Sequence, residues 1–146
     1  PDRAGAGPGS VKYLLDTDVL SDARKQNCPG LNAWLRVPPR TDLAISAVVL
    51  LEIERGILRM ERRDRVSGEH LRRWLTTHVS AAFAGAILPV DELVAHRAAR
   101  LHVPDPMPEM DALIAATALV HDLVLVTRNV KDSRGSGIEL LDSGEL

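Results

Sequence analysis

With 146 residues, 45% of them apolar and 26% charged, the chain has the composition of one soluble globular domain, long enough to bury a core. A net charge of −2 excludes a generic polyanion binder, so any contact with nucleic acid must be local, through arginines gathered on one face. The single cysteine, Cys28, excludes an internal disulfide and points to a reducing cytoplasm; the five scattered histidines make no zinc, haem or iron–sulfur motif.

Residues 1 to 10 are rich in Gly, Ala and Pro and are expected to be a flexible tail or expression remnant, ahead of a single domain over 11 to 146. No charged-then-apolar leader is visible, and no apolar run approaches the ~18 residues of a membrane span. A short buried strand is expected over Lys12 to Leu15, followed by a short helix capped by Asp18 or Ser21 and ended by Asn27-Cys28-Pro29-Gly30. A second short helix, Leu31 to Val37, stops at Pro38-Pro39. Asp42 to Ser46 gives the next strand, and Ser46 is placed to cap a strong helix from Ala47 to about Arg62. A charged joint and Ser67-Gly68 lead to a helix over Glu69 to Ala84. Then come a strand at Ile87 to Val90, a helix opened by Asp91 and running to His102, and a stiff loop carrying Pro104, Pro106 and Pro108. A helix from Glu109 or Asp111 to His121, the strand Leu123 to Val126, and a weak strand at Ile138 to Leu141 complete the chain. Strands alternate with helices throughout, which predicts an α/β fold with a mainly parallel sheet of four or five strands and flanking helices.

Within that frame, several polar residues stand where ligands bind, outside the carboxyl ends of parallel strands. Asp16 ends the apolar run Tyr13-Leu14-Leu15, and Asp18 follows two residues later. Asp16 could equally be a turn or helix cap. Glu52 interrupts an apolar helical run after Val48 and Val49, and Gly56 leaves a gap one turn later; a surface pair with Arg55 or Arg59 is the plainer alternative. Asp111 heads a helix rich in small residues, where the helix dipole alone would favour an acid. Thr127, Arg128, Asn129, Lys131 and Asp132 follow a strand directly, as an ordinary polar loop also would. Taken jointly, acids at strand ends are costly without a cation. Oxygen ligands with no His or Cys among them select Mg²⁺ or Mn²⁺, ions that serve phosphoryl chemistry.

Tyr13 to Ser21, Ile45 to Gly56, Leu88 to Asp91, Asp111 to Ala118 and Leu125 to Asp132, in this order and spacing, resemble the PIN-domain ribonucleases, and in particular the toxin half of VapBC-type toxin–antitoxin pairs in the FitB-like branch. The resemblance spans nearly all of residues 11 to 142. It implies a PIN-like three-layer fold and a metal-dependent endoribonuclease. Asp16, Glu52 and Asp111 would be the acidic core around Mg²⁺ or Mn²⁺, holding a metal-activated water that attacks the phosphodiester. A fourth acid is common in relatives at the position of Asn129 or Asp132, so here the first is a neutral amide. Relatives often carry Asn where this chain has Asp18, an auxiliary acid. Thr127, Arg128 and Lys131 are candidate substrate contacts. The implied partners are an RNA substrate, a VapB-like antitoxin gripped by the helices of residues 47 to 84, and a second copy of the chain; no membrane is implied.

Two further readings stand beside this one. The stripe Arg55, Arg59 and Arg62 or Arg63 is either a solvated helix face or a contact to RNA or antitoxin. Asp16-Thr17-Asp18-Val19 also fits the strand-end pattern of haloacid-dehalogenase-like phosphatases, and the neutral Asn129 leaves room for a PIN-like module that binds without cutting.

Overall fold

The computed structural model of the protein describes residues 11 to 133 and 136 to 146, apart from the Asp132 side chain; the expected tail at 1 to 10 lies outside the described residues. The apolar runs form five short parallel strands: β1 (Tyr13–Leu15), β2 (Leu43–Ser46), β3 (Ile87–Leu88), β4 (Val124–Thr127) and β5 (Leu140–Asp142). Their spatial order is β3-β2-β1-β4-β5. Leu14 lies opposite Ala44 on one side and Leu125 on the other. Buried on both faces, such strands read as continuous apolar runs rather than alternating ones.

Helices connect and cover the strands: α1 (Thr17–Lys25), α2 (Pro29–Leu35), α3 (Ala47–Arg63), α4 (Arg65–Trp74), α5 (Ser80–Ala82), α6 (Glu92–Leu101) and α7 (Glu109–His121). The α/β class and the parallel sheet agree with the sequence reading. Two expected caps also form. The Ser46 hydroxyl accepts from Val48 N at 3.0 Å, and Asp91 Oδ1 accepts from Val94 N at 3.0 Å.

Several boundaries differ, each for a local reason. Helix α1 is capped by Asp16 itself, not by Asp18 or Ser21: Asp16 holds an extended backbone, and its Oδ1 accepts from Thr17 N at 2.8 Å. The helix ends at Gln26, whose φ is 55°, and Pro29 opens α2 from its first turn, where the missing N–H has no partner to lose. Helix α4 begins at Arg65 because Asp64 caps it, accepting from Ser67 N at 3.2 Å. Gly68 is buried inside that helix and is not a joint. A Cβ there would come within 2.5 Å of Glu61 Cγ and 2.8 Å of Glu61 Cα, so the glycine lets α4 lie close on α3. The chain then passes through a π-helical turn, Leu75–Val79, before α5. Strand β4 reaches one residue further than expected, to Thr127, while β3 is two residues long.

The main core joins Leu14, Leu15, Ala44, Ile45, Leu125 and Val126 of the sheet to Val19, Val49, Ile53, Ile57 and Ile114 of the helices. Val94 and Ala98 of α6 with Ala112 and Ala116 of α7 form a second, smaller core. Helix α7 belongs to both, since Ile114 and Ala118 face the main core; this is why its sequence is small and apolar nearly all round.

From β1 the chain moves outward to β2 and β3, then returns through α6 and α7 to β4 on the opposite side of β1. The boundary between β1 and β4 is therefore the point where the winding reverses, and a crevice opens there outside the strand ends.

Candidate active site

Asp16 stands at that reversal. Its backbone N–H donates to Val126 O at 3.0 Å, which ties the end of β1 to β4. One carboxylate oxygen caps α1, and the other accepts the Thr127 hydroxyl at 2.8 Å. Thr127, 1% exposed, lies beneath the site rather than on its surface. Its hydroxyl oxygen also accepts from Asn129 N at 3.1 Å, and it lies 3.4 Å from Asp18 Oδ2. One hydroxyl has one proton, so the shorter bond to Asp16 holds it.

Glu52 is half-buried and accepts a short hydrogen bond from the Thr17 hydroxyl, which ties α3 to the start of α1. It therefore pairs with Thr17, not with Arg55 or Arg59. Those two arginines, with Arg62 and Arg63, are exposed on α3. No atom lies within 4 Å of the Cβ position of Gly56, so the gap read from the sequence is open space. Asp111 is the third residue of α7.

Asp16, Asp18, Glu52 and Asp111 line one cleft of about 390 Å³ with Thr17, Ser21, Lys25, Arg128 and Asn129. Four acids from three chain segments are thus brought together with two cations. Lys131 is exposed and is not among the lining residues, and the side chain of Asp132 lies outside the described residues. The cleft continues past Glu52 and Gly56 into a cavity of about 210 Å³ that reaches Leu71 and Trp74. Beyond Trp74 lies a further apolar cavity of about 310 Å³, lined by Leu20, Val79 and Phe83. Arg24 stacks over the Trp74 ring between them, 5.6 Å from its centroid.

The crowding of acids has an electrostatic signature. Burial first, and then the Asp16 charge, push the Asp18 carboxyl from its ordinary 3.8 up to about 6; the Arg128 N–H and guanidinium pull the other way. The donor set, oxygen throughout, fits a hard divalent cation. Among the described residues, however, no three acid, His or Cys side chains are gathered tightly enough to cage a metal ion. Both oxygens of Asp16 and one of Glu52 are held by α1 and Thr127.

Sequence reasoning missed Thr17, Ser21 and Lys25, which repeat every four residues on α1, and Asp22, one turn after Asp18. That spacing was available, but the helix was started too late to use it. Asp22 is 6% exposed, and Arg128 Nη1 reaches its two oxygens at 3.0 and 3.1 Å.

The PIN domain family model matches residues 13–134. Ribonuclease VapC14 of Mycobacterium tuberculosis (strain CDC 1551 / Oshkosh) is 39% identical over 77 residues, 52% of this chain and 75% of that protein. Toxin FitB of Neisseria gonorrhoeae (strain ATCC 700825 / FA 1090) is 33% identical over 123 residues, 80% of this chain and 86% of that protein. Among solved structures, that of FitAcB from Neisseria gonorrhoeae superposes with a TM-score of 0.83 at 28% identity, covering 92% of this chain and 99% of that one. These matches displace the phosphatase reading of the strand-end acids. A family model that runs from β1 past β4, with a relative a third identical along most of the chain, shows that this protein belongs to the PIN-domain family.

Proposed function

We propose that the chain is a divalent-metal-dependent endoribonuclease and the toxin of a type II toxin–antitoxin pair. The observation that carries the reading is the convergence of Asp16, Asp18, Glu52 and Asp111 on one cleft at the β1/β4 reversal. Family membership supports it, as do relatives named as a ribonuclease and a toxin.

Asp16, Asp111 and Glu52 would hold Mg²⁺ or Mn²⁺, which when bound polarises water and offsets charge on a phosphoryl group. The chain's own residues set the stage. Thr127 and Thr17 N fix Asp16 before any ligand arrives, so its position owes nothing to substrate. The Thr17 hydroxyl does the same for Glu52. Asn129 brings an amide to the cleft that can donate to a ribose hydroxyl or orient water. Arg128 and Lys25 place positive charge beside the acids, where a phosphodiester would lie, and the exposed Lys131 extends that charge outward.

Solved structures that this fold resembles are toxin–antitoxin complexes, which supports a VapB-like antitoxin as partner. An antitoxin segment gripped by the helices of residues 47 to 84 would lie in the groove running from the cleft past Gly56 and Trp74. Leu51 and Leu58 share one face of α3 and are 47% and 52% exposed; a second copy of the chain covers this face in a homodimer. The chain acts as a single cytoplasmic domain over residues 11 to 146. Among the described residues no helix is long and apolar enough to cross a membrane.

The test is cleavage of a mixed RNA set by antitoxin-free protein in Mg²⁺ or Mn²⁺, with an EDTA control, beside Asp16→Asn and Asp111→Asn. Metal-dependent cutting that both variants lose is the expected result. RNA binding without cutting by the folded chain would replace the nuclease with a binding module.

A further inference from the structure

We propose that Asp22 is a positioning residue that aims Arg128 into the cleft, an inference that rests on the nuclease reading above. Asp22 lies one helical turn after Asp18 on α1, and its side chain is 9% exposed. A carboxylate so deeply buried is costly unless it is paired. Its partner is Arg128, whose side chain is 59% exposed and lines the cleft. The pair thus has a buried end that grips and an open end that faces the site.

The geometry of the grip matters. A single guanidinium nitrogen, Nη1, serves both Asp22 oxygens, at 3.0 and 3.1 Å. The fork is not spent on the acid: among the described residues Nη2 and Nε have no hydrogen-bond partner. The same arginine is also anchored through its backbone. Its N–H lies 3.4 Å from Asp18 Oδ1, and the preceding Thr127 is bonded to Asp16. Held at both ends, the guanidinium presents its remaining N–H groups as a fixed edge. That edge suits the non-bridging oxygens of one backbone phosphate, which accept paired N–H donors. Pairing with Asp22 nearly cancels the charge of Arg128 as a long-range attractor, so its contribution comes from orientation rather than from field.

This gives a signature that a structural or purely electrostatic role lacks. Asp22→Asn removes a negative charge beside an RNA site. If net charge were all that mattered, KM would fall and kcat would hold. Positioning predicts that kcat falls by about 10- to 100-fold with KM unchanged or lower. The experiment is steady-state cleavage of an RNA substrate in Mn²⁺ by the parent chain, Asp22→Asn, Arg128→Ala and the double variant, each with a melting curve. The double variant is expected to be no slower than Arg128→Ala alone, because the two residues act as one unit. Asp22→Asn with kcat within twofold of the parent, or losses that multiply in the double variant, overturns the proposal. Should Asp22→Asn melt below the assay temperature, Arg128→Lys decides instead: it keeps the charge without the fork, and kcat within twofold of the parent overturns the proposal. A parent chain that cuts no RNA sinks the nuclease reading and this proposal together. A cutting parent with an unaffected Asp22 variant sinks this one alone.

Discussion

Asp16 and Asp91 occupy the same local pattern: a strand ends, an acid follows, a helix begins. Both cap their helices, Asp16 through Thr17 N at 2.8 Å and Asp91 through Val94 N at 3.0 Å. The difference lies elsewhere in the chain. Asp91 follows β3, at the edge of the sheet, and is exposed. Asp16 follows β1, at the centre, and its second oxygen is held by Thr127, 111 residues away. Strand-end acids are thus alike as caps. One becomes a candidate reactive group because β4 and the loop after it deliver Thr127, Arg128 and Asn129 beside it, while α3 and α7 deliver Glu52 and Asp111.

The largest expected effect tests that contrast directly. Asp16→Asn keeps a side chain able to cap α1, so its melting curve should stay close to the parent's while RNA cleavage falls by roughly 10³-fold. Asp91→Asn should leave cleavage within about twofold. Equal losses in the two variants would break the comparison. Next comes Thr127→Val, which removes the long-range partner and leaves the cap in place. Cleavage should fall about tenfold, with a stability loss of about 1–3 kcal/mol in a denaturant titration, because Asp16 Oδ2 loses a buried donor.

A smaller effect concerns the second acid that Asp91 lacks. The folded-state pKa of Asp18, about 6, lies above its ordinary 3.8. Between those pH values the folded protein binds more protons than the unfolded chain, so stability falls as pH rises through that window and stays lower above it. Asp18→Asn should therefore melt higher than the metal-free parent at pH 7.5, by an amount worth about 1 kcal/mol after solvent screening, with the gap closing near pH 4. A gap that widened toward acid pH would contradict this account. The smallest effect is Asp91→Ala, which should cost about 1 kcal/mol of stability, and a few degrees of melting temperature, with unchanged cleavage.

Much of the fold was legible because parallel strands buried on both faces leave continuous apolar runs, and because Ser46 and Asp91 are caps whose partners lie within three residues. Asp16, Glu52 and Asp111 were legible as acids at strand ends or against apolar helix faces. What escaped reading was non-local. Helical spacing places Asp22 one turn after Asp18, but its pairing with Arg128 has no local signature, since that partner is 106 residues on. Ser67-Gly68 resembles a joint until α3 lies against it, and close approach of two helices is a tertiary fact. Asp16 is legible both as a cap and as a ligand, but starting the helix at Asp18 or Ser21 hides the four-residue repeat of Thr17, Ser21 and Lys25. The loop residue Arg128 reads as a substrate contact or as part of an ordinary polar loop; that Asp22 braces it cannot be seen from one strand end.

The two cores attach the returning helices unequally. Helix α6 buries Val94 and Ala98 against the small second core, whereas α7 also contributes Ile114 and Ala118 to the large one. Amide exchange should follow that gradient: α6 opens through local fluctuations, while α7 exchanges only when the sheet itself comes apart. Asp111 rides on the slow member of the pair. The acid that reaches the cleft by the longest detour is thereby as durable as the strands, and a protease that nicks α6 would leave it in place.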